Sequence, residues 1–232
     1  MEKVNVLDHG YVGLVEAWGS DERIIEAARM STSGGFVSWD AYEGHPKGDA
    51  GLLSYLWKNE HATPFEMVGL TFEVLAPIFV LREWHRHRVP FGYNEASARY
   101  APLPDVNYRP SVERLFMSAG ANKQAASTGL ELTLENAATW DERVEHFYDL
   151  AQELYEFGLT VGIPKELARI VLPVGRYSKM RATGNLRGWL AFMKLRAHPR
   201  AQYEIRVYAD AIGKFIAEKF PRTWHLYQEG KG

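Results

Sequence analysis

The sequence predicts an α+β fold: a helix-rich single domain over residues 1–232 with a small antiparallel sheet. Three observations favour this class. Hydrophobic residues alternate with other residues over Glu66–Leu75, the pattern of a half-buried strand. Apolar residues recur at helical spacing in several longer segments. The chain has 46% hydrophobic and 24% charged residues, ordinary values for a globular protein that can bury a sizeable core.

The first half of the chain carries local signals for a hairpin, three helices, a loop and a further strand. In order, these are a hairpin of Val4–Leu7 and Tyr11–Trp18, a helix capped by Asp21 and ending at Arg29, a loop over Ser31–Pro46, a helix over Asp49–Asn59, the Glu66–Leu75 strand, and a helix from Pro77 to about Arg88. Proline suits the first turn of a helix, whereas Pro90 and Gly92 end one.

The second half is predicted to be mostly helical. Its segments are an extended or looped stretch over Pro102–Pro110, a small polar insertion over Gly120–Gly129, helices over Asn136–Phe157 and Pro164–Leu172, a strand over Tyr177–Thr183, and helices over Leu186–Arg196 and Ala201–Phe220. The Asn136–Phe157 helix carries an apolar stripe, which is typical of a helix face that packs against a core. The stripe consists of Val144, Phe147, Leu150, Leu154 and Phe157.

Composition excludes several kinds of site. The chain has no cysteine, which rules out disulfides, thiolate metal sites and cysteine nucleophiles. Its formal net charge of -2 gives no indication of a nucleic-acid or membrane surface. The histidines lack the spacing of metal ligands, so we expect no metal. No Gly-x-Gly-x-x-Gly motif follows a strand, which argues against a Rossmann cofactor domain.

Targeting signals are not evident in the sequence. Met1 to Gly10 lacks the basic-then-apolar profile of a signal peptide. The longest apolar run, Val74 to Leu81, is far too short to span a membrane. We therefore expect a cytoplasmic protein.

Arginines are concentrated near the centre of the sequence. Arg82, Arg86, Arg88 and Arg99 fall within eighteen residues, with histidines between them and no lysine. The planar guanidinium fork suits phosphate groups and the edges of imides or carboxylates, where lysine offers only a point charge. On a helix, Arg82 and Arg86 would share one face and would repel each other unless an anion lay between them. The alternative is a solvated helix end with cations at its negative pole.

Three of these arginines belong to a longer motif. Arg86-His87-Arg88, followed by Tyr93-Asn94-Glu95, Ser97 and Arg99-Tyr100, resembles the signature of the flavin-dependent thymidylate synthases (the ThyX family). Seven residues separate the Arg-His-Arg from the serine in that signature and eight do so here, so an extra residue lies within Val89–Gly92. Further similar segments follow one another in the expected order and extend the resemblance to most of the chain. They are Ala27–Ser31, His61–Glu66, Ala168–Pro173, Asn185–Arg187 and Leu195–Ala197.

The resemblance implies a ThyX-like fold, assembled as a homotetramer with active sites shared between subunits. It implies reductive methylation of dUMP to dTMP, with 5,10-methylenetetrahydrofolate as carbon donor and NADPH-reduced FAD as hydride source, and release of tetrahydrofolate. The absence of cysteine permits such a reaction independently, because chemistry that depends on a reduced flavin needs no protein thiol.

The resemblance also assigns ligands to individual residues. Arg196 falls at the catalytic position that draws the uracil imide towards its anionic form. The dUMP-binding positions are Glu83, Arg86, Glu95, Ala96, Ser97, Ala98, Arg99, Arg169 and Arg196. The FAD-binding positions are Ser31, Thr63, Arg86, His87, Arg88, Glu95, Asn185, Leu186 and Arg187. His61 and Tyr100 fall at folate-stacking positions, although a buried structural role for His61 is an alternative.

Glu83 departs from the family, which has glutamine at this position. A carboxylate suits an anionic uracil poorly unless a neighbour such as Arg82 or Arg86 pairs with it. A second class of protein also remains open: a non-catalytic nucleotide- or RNA-binding module, which would have no use for Arg196, Asn185 and Thr63 together. A flavin reductase, which would oxidise NADPH without dUMP, is a further alternative.

Overall fold

An antiparallel five-stranded sheet forms the centre of the protein, in a computed structural model that describes residues 1–32, 34–117 and 131–230. The strand order is β1-β2-β3-β5-β4. The strands are β1 (Lys3–Val6), β2 (Gly10–Trp18), β3 (Gly69–Pro77), β4 (Gly92–Glu95) and β5 (Tyr177–Asn185). The two central strands pair along their whole length, from Gly69 opposite Asn185 to Pro77 opposite Tyr177. The predicted α+β class with a small antiparallel sheet is confirmed.

Nine helices occur in the described parts of the chain. They are α1 (Asp21–Ala28), α2 (Gly48–Lys58), α3 (Ile78–Trp84), α4 (Val112–Phe116), α5 (Leu134–Thr160), α6 (Lys165–Ala168), α7 (Leu186–Arg196), α8 (Tyr203–Lys219) and α9 (Pro221–Glu229). Short 3₁₀ turns lie at Arg29–Thr32, Thr63–Glu66 and Arg169–Val171. The predicted insertion Gly120–Gly129 lies outside the described residues.

The core lies between one face of the sheet and the helices α7 and α8. Phe72 of β3 is fully buried, with its ring edge-on to Trp189 of α7 at 5.0 Å and tilted against Phe215 of α8 at 5.7 Å. The Trp189 indole N–H donates to the carbonyl of Leu70 at 2.9 Å, so the buried ring leaves no unpaired donor. The opposite face is polar, with Thr71 hydrogen-bonded to Thr183 at 2.8 Å. The sheet therefore holds α7, which ends at Arg196, in a defined position.

Several predicted boundaries are wrong. Helix α1 is capped by Ser20, and Asp21 lies inside it as a buried carboxylate that accepts hydrogen bonds from Arg222 and Thr223 of α9. Helix α3 ends at Trp84 rather than near Arg88. The strand predicted from Glu66 begins at Gly69, because a 3₁₀ turn precedes it.

Other elements differ in kind. The segment from Tyr93, predicted to be a loop, contains the edge strand β4. The helix predicted from Pro164 to Leu172 is split into α6 and a 3₁₀ turn. Helices α4 and α9 were not predicted from the sequence, although Pro221 in the first turn of α9 was a usable signal.

The stripe of α5 does not enter the core. Phe147, Leu150, Leu154 and Phe157 are between 51 and 61% exposed, and the helix packs through Ala151, Tyr155 and other residues on an adjoining face. The expected core-facing role of the stripe is therefore wrong for a single chain. A row of exposed apolar side chains of this kind is the mark of an interaction surface.

Candidate active site

Arg196, the last residue of α7, lies at the centre of a small polar cluster. Its Nε donates to Nε2 of His87 at 2.9 Å, and its Nη1 donates to Oε2 of Glu83 at 2.5 Å. Its Nη2 donates to the backbone carbonyl of Glu83 at 2.9 Å. The side chain of Arg196 is 17% exposed. Folding thus brings together two segments of the motif that lie more than a hundred residues apart in the sequence.

The partner of Glu83 is different from the one that the sequence suggested. Because α3 ends at Trp84, Arg86 lies in the turn beyond the helix and does not share a helical face with Arg82. Arg82, Arg86 and Arg88 form no ion pair with any carboxylate in the described ranges, and all three are exposed. Glu83 pairs with Arg196 instead. Arg82, Arg86 and Arg88 therefore remain available to a ligand.

His87 is held in its neutral form. Because Arg196 donates a hydrogen bond to Nε2, that nitrogen carries no proton. Burial, and then the positive charge of Arg196, lower the pKa of His87 to about 4, against the opposing effect of Glu83. The imidazole ring also packs on Phe192, with ring centroids 4.8 Å apart. His87 consequently serves as a fixed acceptor for Arg196 near neutral pH.

The stability of the protein should depend on this histidine in mildly acidic solution. The pKa of His87 is lower in the folded chain than its ordinary value of 6.5, so the unfolded chain binds the proton more readily. The stability that neutral His87 contributes is present above pH 6.5 and is lost as the pH falls towards about 4. His87→Gln keeps an acceptor but does not titrate. Urea unfolding followed by tryptophan fluorescence should show a weaker loss of stability for this variant over that range, whereas equal pH slopes would contradict the assignment.

Aromatic residues stabilise the Arg-His-Arg turn and the loop that follows it. The Tyr93 hydroxyl donates to the carbonyl of His87 at 2.6 Å, and the ring of Phe91 packs edge-on to Trp189 at 4.7 Å. Burial raises the pKa of Tyr93, so it remains a donor. The extra residue of the motif lies in this loop, which packs closely on α7. A Cβ atom at Gly188 would lie 2.5 Å from Cδ of Pro90.

A second part of the site is a turn at Ser97–Tyr100. Ser97 Oγ accepts from the backbone N–H of Arg99 at 3.3 Å, and Ala98 is buried. Arg99 forms an ion pair with Glu166 of α6 at 2.9 Å, and Lys165 donates to the carbonyl of Tyr100 at 3.1 Å. These contacts join the turn to α6, which leads directly into Arg169. The structure thereby brings the predicted dUMP-binding residues Ser97, Arg99 and Arg169 into one region.

Backbone amides near this turn are only partly available. Ala96 donates its N–H to the carbonyl of Lys179 at 2.8 Å, and Tyr100 donates to the carbonyl of Ser97 at 3.0 Å. Among the described residues, the amides of Ser97 and Ala98 have no such partner. Glu95, which ends β4, lies 3.9 Å from His85 in the neighbouring turn. Ser97 and Ala98 are therefore the two amides that can bind an anion here.

Several of the predicted FAD and folate residues lie around one cleft. His61 and Thr63 line a cleft of about 320 Å³ together with apolar side chains such as Met30, which precedes Ser31. An ion pair between Glu66 and Arg187 places the start of α7 near the same turn. Both His61 and Tyr100 are exposed, so the alternative of a buried structural His61 is wrong.

The start of α7 is constrained by its own cap. Asn185 Oδ1 accepts from the N–H of Gly188 at 2.9 Å, which satisfies one free donor of the helix. Leu186 is fully buried, and its N–H donates to the carbonyl of Val68, so its side chain faces the core. Arg187 and Arg196 are nine positions apart along the helix, a rise of about 13 Å. The two ends of α7 thus serve different parts of the site.

The sequence analysis missed a buried ion pair beside the cleft. Asp49 is fully buried, accepts from the Tyr42 hydroxyl at 2.8 Å and pairs with Arg29. Arg29 also donates to the carbonyl of Gly35 at 2.5 Å. These bonds tie the glycine-rich loop after α1 to α2. No local sequence pattern predicts the pairing of Arg29 with Asp49, since the two residues lie twenty positions apart.

The described residues contain no group of three or more histidine, aspartate or glutamate side chains placed to hold a metal ion. In the same ranges, no helix is long and apolar enough to cross a membrane.

The geometry defines a class of protein: an α+β protein whose site gathers arginines around a position for an anionic ligand. Comparison with known proteins narrows this class. Residues 13–222 match the family described as thymidylate synthase complementing protein. A flavin-dependent thymidylate synthase of Thermus thermophilus is 38% identical over 226 residues, which cover 97% of this chain and 78% of the relative.

Another flavin-dependent thymidylate synthase, from Thermosipho melanesiensis, is 37% identical over 222 residues, covering 96% of this chain and 92% of the relative. Among solved structures, the UMP/dUMP methylase PolB from Streptomyces cacaoi bound with 5-Br dUMP superposes with a TM-score of 0.82 at 32% identity, over 97% of each chain. The same enzyme with 5-Br UMP gives a TM-score of 0.80. The chain belongs to the flavin-dependent thymidylate synthase family, and it is an enzyme of the methyltransferase class.

Proposed function

We propose that this enzyme converts dUMP to dTMP, with 5,10-methylenetetrahydrofolate as carbon donor and NADPH-reduced FAD as hydride source, and releases tetrahydrofolate. The observation that carries the proposal is the contact between Arg196 and His87, which joins the two ends of the motif at one point. The dUMP analogue bound to PolB supports the choice of a uracil nucleotide. The absence of cysteine is compatible with a reaction that needs no protein thiol.

Arg196 acts on the uracil ring. A fixed guanidinium stabilises negative charge on the imide as it develops, and this makes carbon 5 a better nucleophile. His87 contributes by holding the guanidinium from the side while remaining uncharged, because its pKa is lowered to about 4. A charged imidazole at this point would instead repel Arg196 and release it.

The phosphate of dUMP is assigned to the turn at Ser97–Tyr100. Arg86 and Arg169 are assigned to supply positive charge to it, and neither is committed to a carboxylate in the described residues. The amides of Ser97 and Ala98 supply directed donors. Arg99 pairs with the exposed Glu166, an ion pair in solvent that is weak enough to be exchanged for a phosphate.

FAD, when bound, supplies the hydride that completes the methyl group. The cleft beside His61 and Thr63 and the side chain of Arg88 would each suit a part of FAD. The cleft beside His61 and Thr63 is mostly apolar, as a flat ring requires, and its volume of about 320 Å³ is at the small end for a ligand pocket. Exposed Arg88 has no carboxylate partner among the described residues, and it is therefore free to bind a pyrophosphate. Because this cleft is small, the rest of the dinucleotide would lie against another subunit.

A homotetramer accounts for the exposed stripe of α5. Four large apolar side chains in a row would be covered if subunits met along this helix. His61 and Tyr100, both exposed, stay assigned to folate. The cytoplasmic location and the single-domain organisation remain predictions.

The proposal is tested by measuring dTMP formation with each of dUMP, methylenetetrahydrofolate, NADPH and FAD omitted in turn. We expect dTMP only with the complete mixture and a visible absorbance band from bound oxidised FAD. A protein that stays colourless with added FAD would instead be a nucleotide- or RNA-binding module. NADPH oxidation that proceeds without dUMP and without dTMP would indicate a flavin reductase.

Ser97 is expected to position the phosphate rather than to act as a nucleophile. Its hydroxyl accepts a hydrogen bond from Arg99 and has no hydrogen bond to a general base within the described residues. Ser97→Ala should therefore weaken dUMP binding by roughly 1.5–3 kcal/mol, the value of a hydrogen bond to a charged group, while dTMP still forms at saturating dUMP. Complete inactivity at saturation, or a covalent uracil adduct on Ser97 in mass spectrometry, would refute this role.

A further inference from the structure

The two side chains that hold Arg196 differ in charge. His87 is a neutral acceptor, whereas Glu83 presents a carboxylate 2.5 Å from Nη1 and a backbone carbonyl 2.9 Å from Nη2. Three guanidinium nitrogens each donate one hydrogen bond, so two of the five N–H groups remain for a ligand. Glu83 is the carboxylate that pairs with Arg196 in the described residues.

This pairing opposes the use of Arg196 as an anion-binding group. A carboxylate in contact with a guanidinium cancels much of its charge, and it repels a second anion at the same place. The ion pair between Glu83 and Arg196 is also not fully buried. The side chain of Glu83 is 39% exposed and that of Arg196 is 17% exposed, so the carboxylate can move aside into solvent without being buried unpaired.

We propose that Glu83 is an internal competitor for Arg196: its carboxylate occupies the guanidinium in the free enzyme, and the uracil imide binds at its expense. Glu83 is thereby a positioning residue that sets the affinity for the ring, and it does not itself bind the nucleotide. This inference rests on the proposed function, since it takes the uracil ring as the ligand of Arg196.

The test compares Glu83→Gln with the native chain in nucleotide binding, without catalysis. Glutamine keeps the length of the side chain and an acceptor oxygen for Arg196 but removes the negative charge. The probe is 5-bromo-dUMP, whose bromine withdraws electrons from the ring and makes the imide proton more acidic. Titration calorimetry should show at least five-fold tighter binding to the variant, and ultraviolet difference spectra should show a larger fraction of the bound ring in its anionic form.

Two controls separate this effect from a general one. dCMP carries the same phosphate and sugar but has no acidic imide, so its affinity should not rise in Glu83→Gln. Glu73→Gln removes a carboxylate that pairs with another arginine, Arg181, on the open face of the sheet. This second variant should bind 5-bromo-dUMP as the native chain does.

Equal or weaker binding of 5-bromo-dUMP by Glu83→Gln would overturn the inference while leaving the proposed function intact. An equal gain for dCMP would also overturn it, since the effect would then concern the phosphate. If neither dUMP nor 5-bromo-dUMP binds to any of the chains, the proposed function fails, and the inference fails with it. A thermal melt checks the folding of the variant, and Glu83→Ala gives the same comparison if Glu83→Gln does not fold.

Discussion

Arg196→Lys is expected to lower turnover at least ten-fold, which corresponds to about 1.4 kcal/mol of lost transition-state stabilisation. Arg196 uses three nitrogens at once, on His87 and on two oxygens of Glu83. Lysine keeps the charge, but its compact ammonium group cannot be held by His87 and the Glu83 carbonyl and still present a planar edge to an imide. The loss should therefore appear in the chemical step.

The measurement is single-turnover dTMP formation at saturating substrates, together with the visible absorbance of bound FAD. The absorbance should be unchanged, because no predicted FAD ligand is altered. Arg206→Lys is a matched control on α8, where the guanidinium bonds to a backbone carbonyl of Pro199, and it should retain native turnover. Native turnover in Arg196→Lys would remove Arg196 from the chemistry.

Leu154→Glu should prevent assembly of the proposed tetramer and abolish most activity at low protein concentration. Leu154 lies in the middle of the exposed stripe, between Leu150 and Phe157. A carboxylate buried there between subunits without a partner would cost several kcal/mol, and every 1.4 kcal/mol or so weakens association about ten-fold. The monomer should still fold, because the side chain is 51% exposed in the single chain.

Sedimentation velocity of the native chain and the variant, with dTMP formation measured over a dilution series, tests this expectation. Glu142→Gln changes the charge of α5 by one unit in the opposite direction, outside the stripe, and should leave assembly unaffected. A variant that assembles normally would show that the stripe is not the interface. A native chain that is a fully active monomer at high dilution would refute the shared active site.

Local patterns predicted much of the fold because they depend on neighbours in the sequence. The hairpin of β1 and β2, the bounds of α7 and the strand β5 follow from periodicity and caps that act within a few residues. The predicted end of helix α3 was less accurate. Pro90 and Gly92 predicted the end of a helix, but α3 already ends at Trp84, where the chain turns to place His87 beside Arg196.

The composition and the ordered motifs determined the family and excluded thiol chemistry, since both depend on which residues are present and in what order. Only the tertiary structure decided how those residues pair. Sequence spacing suggested Arg82 or Arg86 as the partner of Glu83, but the packing of α7 on the sheet carries Arg196 to it from across the chain. The stripe of α5 stays exposed in the single chain, because a hydrophobic pattern specifies that a face is to be covered but not which surface covers it.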